Sequence, residues 1–176
     1  IFARWLVDER NAPPQFSIWT GACLVQCDVR DEDISIEMGR PRFTPTPEDT
    51  ERVQIQNESL EGTFVDIGNP HFVMFTDNEL DALPWRDWGS ALEIHPRFPN
   101  RTNVQFARIL TPEQVEIRIW ERGAGETSAS GSSSCAVVAA GVKRGFLEPT
   151  EVLIHMPGGQ LKVSAYPDTP LLLTGP

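Results

Sequence analysis

Cysteine and histidine are scarce in this chain, basic residues are outnumbered, and no apolar run approaches the length of a membrane span. The three cysteines, Cys23, Cys27 and Cys135, are odd in number and lack tight metal-ligand spacing, and His71, His95 and His155 are scattered. A disulfide framework is therefore not what organises the fold, and a reducing cytoplasm is the expected compartment. Cys23 and Cys27 lie in an alternating stretch with no second pair after them, so buried structural thiols are expected there and not a metal clamp. The longest apolar stretches, Leu171 to Leu173 and Ala136 to Val142, fall far short of the ~20 residues a membrane helix needs. Fifteen Lys+Arg against 25 Asp+Glu give a formal charge of −10, which repels nucleic acid and anionic membrane surfaces. No locally basic patch offsets it. No signal peptide is visible, and the sequence opens at Ile1 in mid-pattern, without an initiator methionine, as a truncated start would.

What is present suits one ordinary domain: 176 residues, 40% of them hydrophobic, can bury a real core. Ile1 to Val7 reads as the tail of a helix, broken by Asn11-Ala12-Pro13-Pro14. Short strands are expected at Phe16 to Trp19, Cys23 to Val29 and Ile34 to Met38, with a polar turn from Arg30 to Asp33. Gly39 to Pro47 is a proline-rich connection, and the polar run Glu48 to Glu61 leads into a strand at Thr63 to Ile67. Gly68-Asn69-Pro70 turns the chain before His71 to Phe75 extends again. Asp77 to Ile94 predicts one or two short helices interrupted at Pro84. Val115, Ile117 and Ile119 alternate with Glu116, Arg118 and Trp120 in a strand that runs into Glu121-Arg122. Gly123 to Ser134 is a loop of small residues, Cys135 to Lys143 a compact apolar helix ending at Gly145. A hairpin at Pro157-Gly158-Gly159 and a strand at Leu171 to Thr174 complete the chain, which contains no internal repeat.

Chemistry concentrates between Glu121 and Cys135. A strand ends in a charged pair, a glycine-rich loop follows, and a helix begins. Backbone N–H groups at such a helix start converge on one point, where the helix dipole also favours an anion. A plain loop with serine caps would have the same composition, so composition alone does not decide.

The wording does. Glu121-Arg122-Gly123-Ala124-Gly125-Glu126-Thr127, followed by small residues and a Cys-bearing helix, resembles the second catalytic motif of the diaminopimelate epimerases. Gly68-Asn69-Pro70-His71 and Arg97-Phe98-Pro99-Asn100-Arg101-Thr102-Asn103-Val104 resemble two further family segments in the same order, as do Met38-Gly39-Arg40-Pro41, Pro157-Gly158-Gly159 and Thr174-Gly175-Pro176. The resemblance implies an α/β (α+β) fold with a mostly antiparallel, barrel-like sheet curled round a central helix, one half of a two-domain architecture with its site in the cleft between halves. Residues 1–10 would be the remnant of a helix from a missing N-terminal half, and residues 11–176 the C-terminal half-domain. It further implies an isomerase of lysine biosynthesis that interconverts LL- and meso-diaminopimelate without pyridoxal phosphate, metal or other cofactor. The implied partners are that small amino-acid substrate and the N-terminal half-domain, and a homodimer is compatible with the family.

Cofactor-free inversion of an α-carbon takes two acid/base groups on opposite faces, one removing a proton as thiolate and the other returning one as thiol. By resemblance, the family's cysteine in this half lies three residues after the Thr of Gly-Glu-Thr, and that position is Ser130. Cys135 is expected to be a packed structural thiol inside the helix. An alcohol is a weaker acid than a thiol by roughly five pKa units, about 7 kcal/mol, so two-base epimerisation by this chain alone is expected to be nearly lost. His71 and Glu121 match residues that lie beside the thiols and set their protonation. Arg122 matches the clamp for the distal carboxylate, a task suited to a guanidinium fork, although an ion pair with Glu121 or Glu126 is the plainer reading. Asn69 and Asn103 match polar residues that hold the far end of the substrate, and Gly131 and Ser132 would offer N–H groups to the reacting carboxylate. Ser133 stands where the family usually has glycine, making the local backbone less permissive. Two rivals stand beside this: an isomerase or dehydratase of the same fold lacking one thiol, and a non-catalytic ligand-binding or partner domain.

Overall fold

The computed structural model describes residues 2–19, 24–44 and 49–176. Helix α1 (Phe2–Arg10) is followed by strands β1 (Gln15–Trp19), β2 (Leu24–Arg30), β3 (Asp33–Gly39), β4 (Arg42–Phe43), β5 (Glu51–Ile55), β6 (Glu58–Asp66) and β7 (Pro70–Phe75). A 3-10 turn (Leu80–Ala82) and helix α2 (Trp85–Glu93) lead to β8 (Asn103–Thr111), β9 (Gln114–Glu121) and β10 (Gly125–Thr127). Helix α3 (Gly131–Lys143), β11 (Glu151–Met156), β12 (Gly159–Ser164) and β13 (Leu171–Gly175) close the order. Along the sheet the strands run β1-β2-β3-β13-β12-β11-β9-β8-β7-β6-β4, with β10 on β9 and β5 on β6. The sheet is curled and unclosed, and mostly antiparallel. Two pairs are parallel, β7 with β8 and β9 with β11.

The alternation of each strand sorts its side chains between two cores. Val73, Ala107, Ile117 and Ile119 face α3, whose residues Cys135 to Ala140 are buried in the same cluster. Phe72, Met74, Val104 and Phe106 point the other way and pack with Trp85 and Leu92 of α2. Helix α3 is apolar on every side through its middle, so enclosure by the curled sheet is what makes it stable. A third, smaller cluster joins Ala3 of α1 with Cys27, Val29 and Ile34 of β2 and β3. Helix α1 therefore lies on the strands that follow it.

Most of the expected elements form, with three differences. The polar run after residue 48 contains a hairpin: Val53 and Ile55 alternate inward on β5, and Arg52 meets Glu61 across the pair at 3.2 Å. Strand β8 carries no expectation of its own, yet it is the buried neighbour of both β7 and β9. Helix α3 begins at Gly131 and not at Cys135. Its serines are modest helix formers, but Ser130 is extended (φ −155°, ψ 122°) and its hydroxyl accepts the Ser133 N–H, an N-cap that starts the helix four residues early. The preceding loop is shorter accordingly, and part of it is strand β10, paired with β9. Cys27 is buried, as expected, whereas Cys23 and the end of the Gly39 to Pro47 connection lie outside the described residues.

Helix α2 approaches the sheet through a glycine. A Cβ on Gly89 would lie 2.8 Å from Cβ of Trp120 and 3.0 Å from its Cγ, and neither atom is a flexible chain end. Gly89→Ala gains about 1 kcal/mol of helix propensity but overpacks the interface at about 1–3 kcal/mol. A net loss of up to about 2 kcal/mol is expected in urea unfolding, against little change for Ser90→Ala one position along.

Candidate active site

The start of β7, the start of β8, the end of β9 and the first turn of α3 meet at one end of the sheet. Parallel pairing sets His71 of β7 against Asn103 of β8, and antiparallel pairing sets Val104 against Trp120, which brings Glu121 to the same end. Alternation places His71, Asn103, Gln105 and Glu121 on the face that α3 covers. Strand register alone gathers these polar groups at the helix N-terminus.

Ser130 is the N-cap. Its Oγ donates to Oε1 of Glu121 at 2.6 Å, accepts the N–H of Ser133 at 3.4 Å, and lies 3.5 Å from Oγ of Ser132. The Ser134 N–H reaches the Ser130 carbonyl at 3.1 Å. Gly131 and Ser132 are the first two residues of the helix, where N–H groups have no intrahelical acceptor. These two N–H groups lie at the end of the helix where its dipole favours an anion. Cys135 lies a turn further in, fully buried, its thiol pushed by burial up to about 12. Ser133 turns inward, its hydroxyl bonded to Nε2 of Gln105 at 3.0 Å, and its φ is not left-handed.

His71 has no exposed surface. Its Nε2 is 2.9 Å from Oδ1 of Asn69, and burial pushes its pKa from the usual 6.5 down to about 4, a push that Asp66 opposes and Arg122 reinforces. The imidazole is neutral across the ordinary pH range and touches the site only through Asn69. Asn103, nearly buried, is a brace: Nδ2 donates to the Pro70 carbonyl at 2.8 Å and Oδ1 accepts the Arg122 N–H at 2.9 Å. One N–H of its amide remains uncommitted.

Beside this end lies a cavity of about 620 Å³ lined by Asp66, Asn69, Arg97, Arg101 and Arg122, among others. Arg97 is paired with Glu51 and Arg101 with Glu93. Arg122 donates to the Asn100 carbonyl at 3.0 Å, and among the described residues no carboxylate neutralises it. The ion pair with Glu121 or Glu126 does not form, because Glu121 holds Ser130 and Glu126 holds Arg86 at 2.6 Å. Arg122 is the uncommitted positive charge of the cavity.

Two further residues build the site without standing out as motif residues. Glu93, 6% exposed, accepts from Trp120 Nε1 at 2.8 Å and from the Gly123 N–H at 2.7 Å, fixing the turn that carries Arg122. Burial works to raise its carboxyl, but those two bonds and the charge of Arg101 outweigh it and leave the pKa below its usual value. Gln105 is the other, fully buried between His71 and Ser133. A polar residue between the apolar Val104 and Phe106, at an inward position, was the available signal. Among the described residues, no three His, Cys, Asp or Glu side chains are grouped to hold a metal, and no helix is long and apolar enough to cross a membrane.

The family model described as diaminopimelate epimerase matches residues 63–176. A diaminopimelate epimerase of Pseudomonas paraeruginosa is 36% identical over 186 aligned positions, which cover 99% of this chain and 67% of the relative. The chain belongs to the diaminopimelate epimerase family. It is thus part of an epimerase lineage, of the isomerase class. Two solved structures share the fold: a probable proline racemase from Agrobacterium radiobacter (TM-score 0.72, 16% identity, 97% of this chain and 61% of that one) and a hydroxyproline epimerase from Agrobacterium vitis (TM-score 0.70, 16% identity, 97% and 60%). This chain therefore spans less than two thirds of either protein. Within the diaminopimelate epimerase family frame, the segments around His71, Asn103, Glu121 and Ser130 all fall inside the matched region.

The buried histidine makes stability depend on pH. Its folded pKa is depressed, so its stabilising effect is complete above about 6.5 and is lost as pH falls toward about 4. Integrated over that window, the loss is about 3 kcal/mol. Unfolding free energy should fall by most of that amount between pH 6.5 and 4.5, and His71→Gln should flatten the slope, which separates the histidine from the carboxylates that begin to titrate at the lower end. An NMR titration placing the folded His71 pKa at or above 6.5 would contradict the burial argument.

Proposed function

We propose that this chain supplies one face of a cofactor-independent, two-face epimerase site for diaminopimelate, in lysine biosynthesis, with a serine at the position that acts by proton transfer. The observation that carries the reading is Ser130 Oγ at the N-cap of α3, 2.6 Å from Glu121 and next to the open N–H groups of Gly131 and Ser132. A substrate α-carboxylate seated on those N–H groups would bring its α-carbon over residue 130. The distal carboxylate would reach Arg122, with Asn69 and Asn103 beside it. A thiolate at residue 130 would gain from the helix dipole; with the opposite face supplying a thiol, it could remove the α-proton while that thiol returned one. The alcohol cannot ionise for this step, and Glu121 already takes its proton in a hydrogen bond. His71 and Glu121 would set the polar environment, with no part for a metal or pyridoxal phosphate.

One observation favours a second reading. The Ser130 hydroxyl is committed as donor to Glu121 and as acceptor from Ser133, which suits a carboxylate-binding domain that does no proton transfer.

Deuterium exchange separates the two. Diaminopimelate in D₂O is followed by NMR with the parent chain, Ser130→Cys, Cys135→Ala and the double variant, each with and without an added N-terminal half-domain from a Pseudomonas relative. The parent alone should not reach turnover of roughly 1 s⁻¹. Ser130→Cys with the added half should epimerise, Cys135→Ala should leave that activity intact, and the weaker thiol cap should lower stability by about 1 kcal/mol. The serine form with the added half should show slow deuterium uptake without inversion, and no uptake would favour the binding reading. Activity that follows residue 135 and ignores residue 130 would overturn the assignment.

A further inference from the structure

Three buried polar side chains lie in a row beneath the site: Ser133, Gln105 and His71. Each is fully enclosed. The sheet register opposes Val73 to Gln105 and His71 to Asn103, so Gln105 and His71 are diagonal neighbours on the face covered by α3. Nδ1 of His71 and Oε1 of Gln105 are both buried without a hydrogen-bond partner, a double vacancy that interiors rarely tolerate.

An amide's oxygen and nitrogen are assigned from their partners. Turning the Gln105 amide end for end makes the two atoms complementary: Oε1 then accepts the Ser133 hydroxyl across the same 3.0 Å, and Nε2 takes the place of the unpaired oxygen as a donor available to Nδ1 of His71. The ring proton then sits on Nε2 and goes to Oδ1 of Asn69 at 2.9 Å. The opposite arrangement, with Nδ1–H donating to Gln105, leaves the Ser133 hydroxyl proton with no acceptor among the described residues. It also demands either a second proton on a fully buried ring, which burial opposes, or reversal of the Asn69 amide. Glycine at residue 133 could not hold the Gln105 amide at all.

We infer that Gln105, anchored by the Ser133 hydroxyl, is a positioning residue that fixes His71 as the Nε2–H tautomer and thereby turns the amide N–H groups of Asn69 toward the cavity beside Arg122. The cavity wall then offers hydrogen-bond donors at Asn69 and a cation at Arg122, a pairing that selects a carboxylate. That ligand class rests on the proposed function above; the tautomer does not. The chain Glu121, Ser130, Ser133, Gln105, His71, Asn69 links the reacting end of the site to the distal end by hydrogen bonds.

The test is long-range ¹H–¹⁵N NMR of the histidines in the full chain at neutral pH, with His71 identified by loss of its signals in His71→Gln. The parent should show a pyrrole-type Nε2 and a hydrogen-bonded pyridine-type Nδ1. Gln105→Glu, which can only accept at that position, should move the proton onto Nδ1, and Gln105→Met should shift Nδ1 to its free pyridine value. A pyrrole-type Nδ1 in the parent, or a His71 spectrum unmoved by Gln105→Glu, overturns the inference. The parent spectrum decides the matter even where a variant does not fold. Calorimetric titration of meso-diaminopimelate forms a separate arm, in which Gln105→Met should weaken binding about tenfold, the effect of one misplaced polar contact. Failure of the parent to bind diaminopimelate would remove the proposed substrate while the tautomer stands on the NMR result.

Discussion

Enclosure of helix α3 is the constraint on which the rest of the molecule depends. From Ser133 to Gly141 the helix has no exposed face, so no part of it can be left in water and the sheet has to curl round it. Small residues at 136, 139, 140 and 141 let the strands come close. A helix buried in this way can shed its unpaired N–H groups only at its ends, and the N-terminal end emerges where β7, β8 and β9 begin or finish. The site is the place where a buried helix meets the open margin of its own sheet.

The same enclosure decides which groups there are charged. His71 is held neutral because it lies under the helix, and Cys135 is inert because it lies inside it. Glu121 and Arg122, adjacent in sequence, leave the end of β9 in opposite directions. One serves the helix cap and the other the distal cavity. Glu93 holds the residues on either side of the pair, Trp120 and Gly123, which is why a residue far from the motif in sequence matters to its geometry.

Much of this was legible from the residues. The alternation of Val115, Ile117 and Ile119 marked β9, Pro84 marked the break before α2, and the motif wording singled out residue 130, which is the N-cap of α3. The hairpin of β5 and β6 was hidden because its outward positions are charged and its inward ones few, so composition masked the period of Val53 and Ile55. The early start of α3 was hidden because serine propensity argues for a loop, while the cap and the burial of Ser133 and Ser134 depend on tertiary contacts. Gln105 was overlooked because its partners, Ser133 and His71, lie 28 and 34 positions away, and only the parallel pairing of β7 with β8 and the packing of α3 over it bring the three together.

That parallel pairing has a consequence for handedness. Each of the two parallel pairs, β7 with β8 and β9 with β11, is joined by a crossover that contains a helix, α2 in the first and α3 in the second. Both crossovers step the same way along the sheet order, but the strands of the second pair run opposite to those of the first, since β8 and β9 are antiparallel. Two crossovers of one hand, stepping the same way from oppositely directed strands, must pass over opposite faces of the sheet. Chain chirality, which favours one hand for such connections, is therefore enough to send one helix inside the curl and the other outside. The polar residues of β7 and β8 that face inward thus come to lie beneath a helix N-terminus rather than beneath the flank of α2.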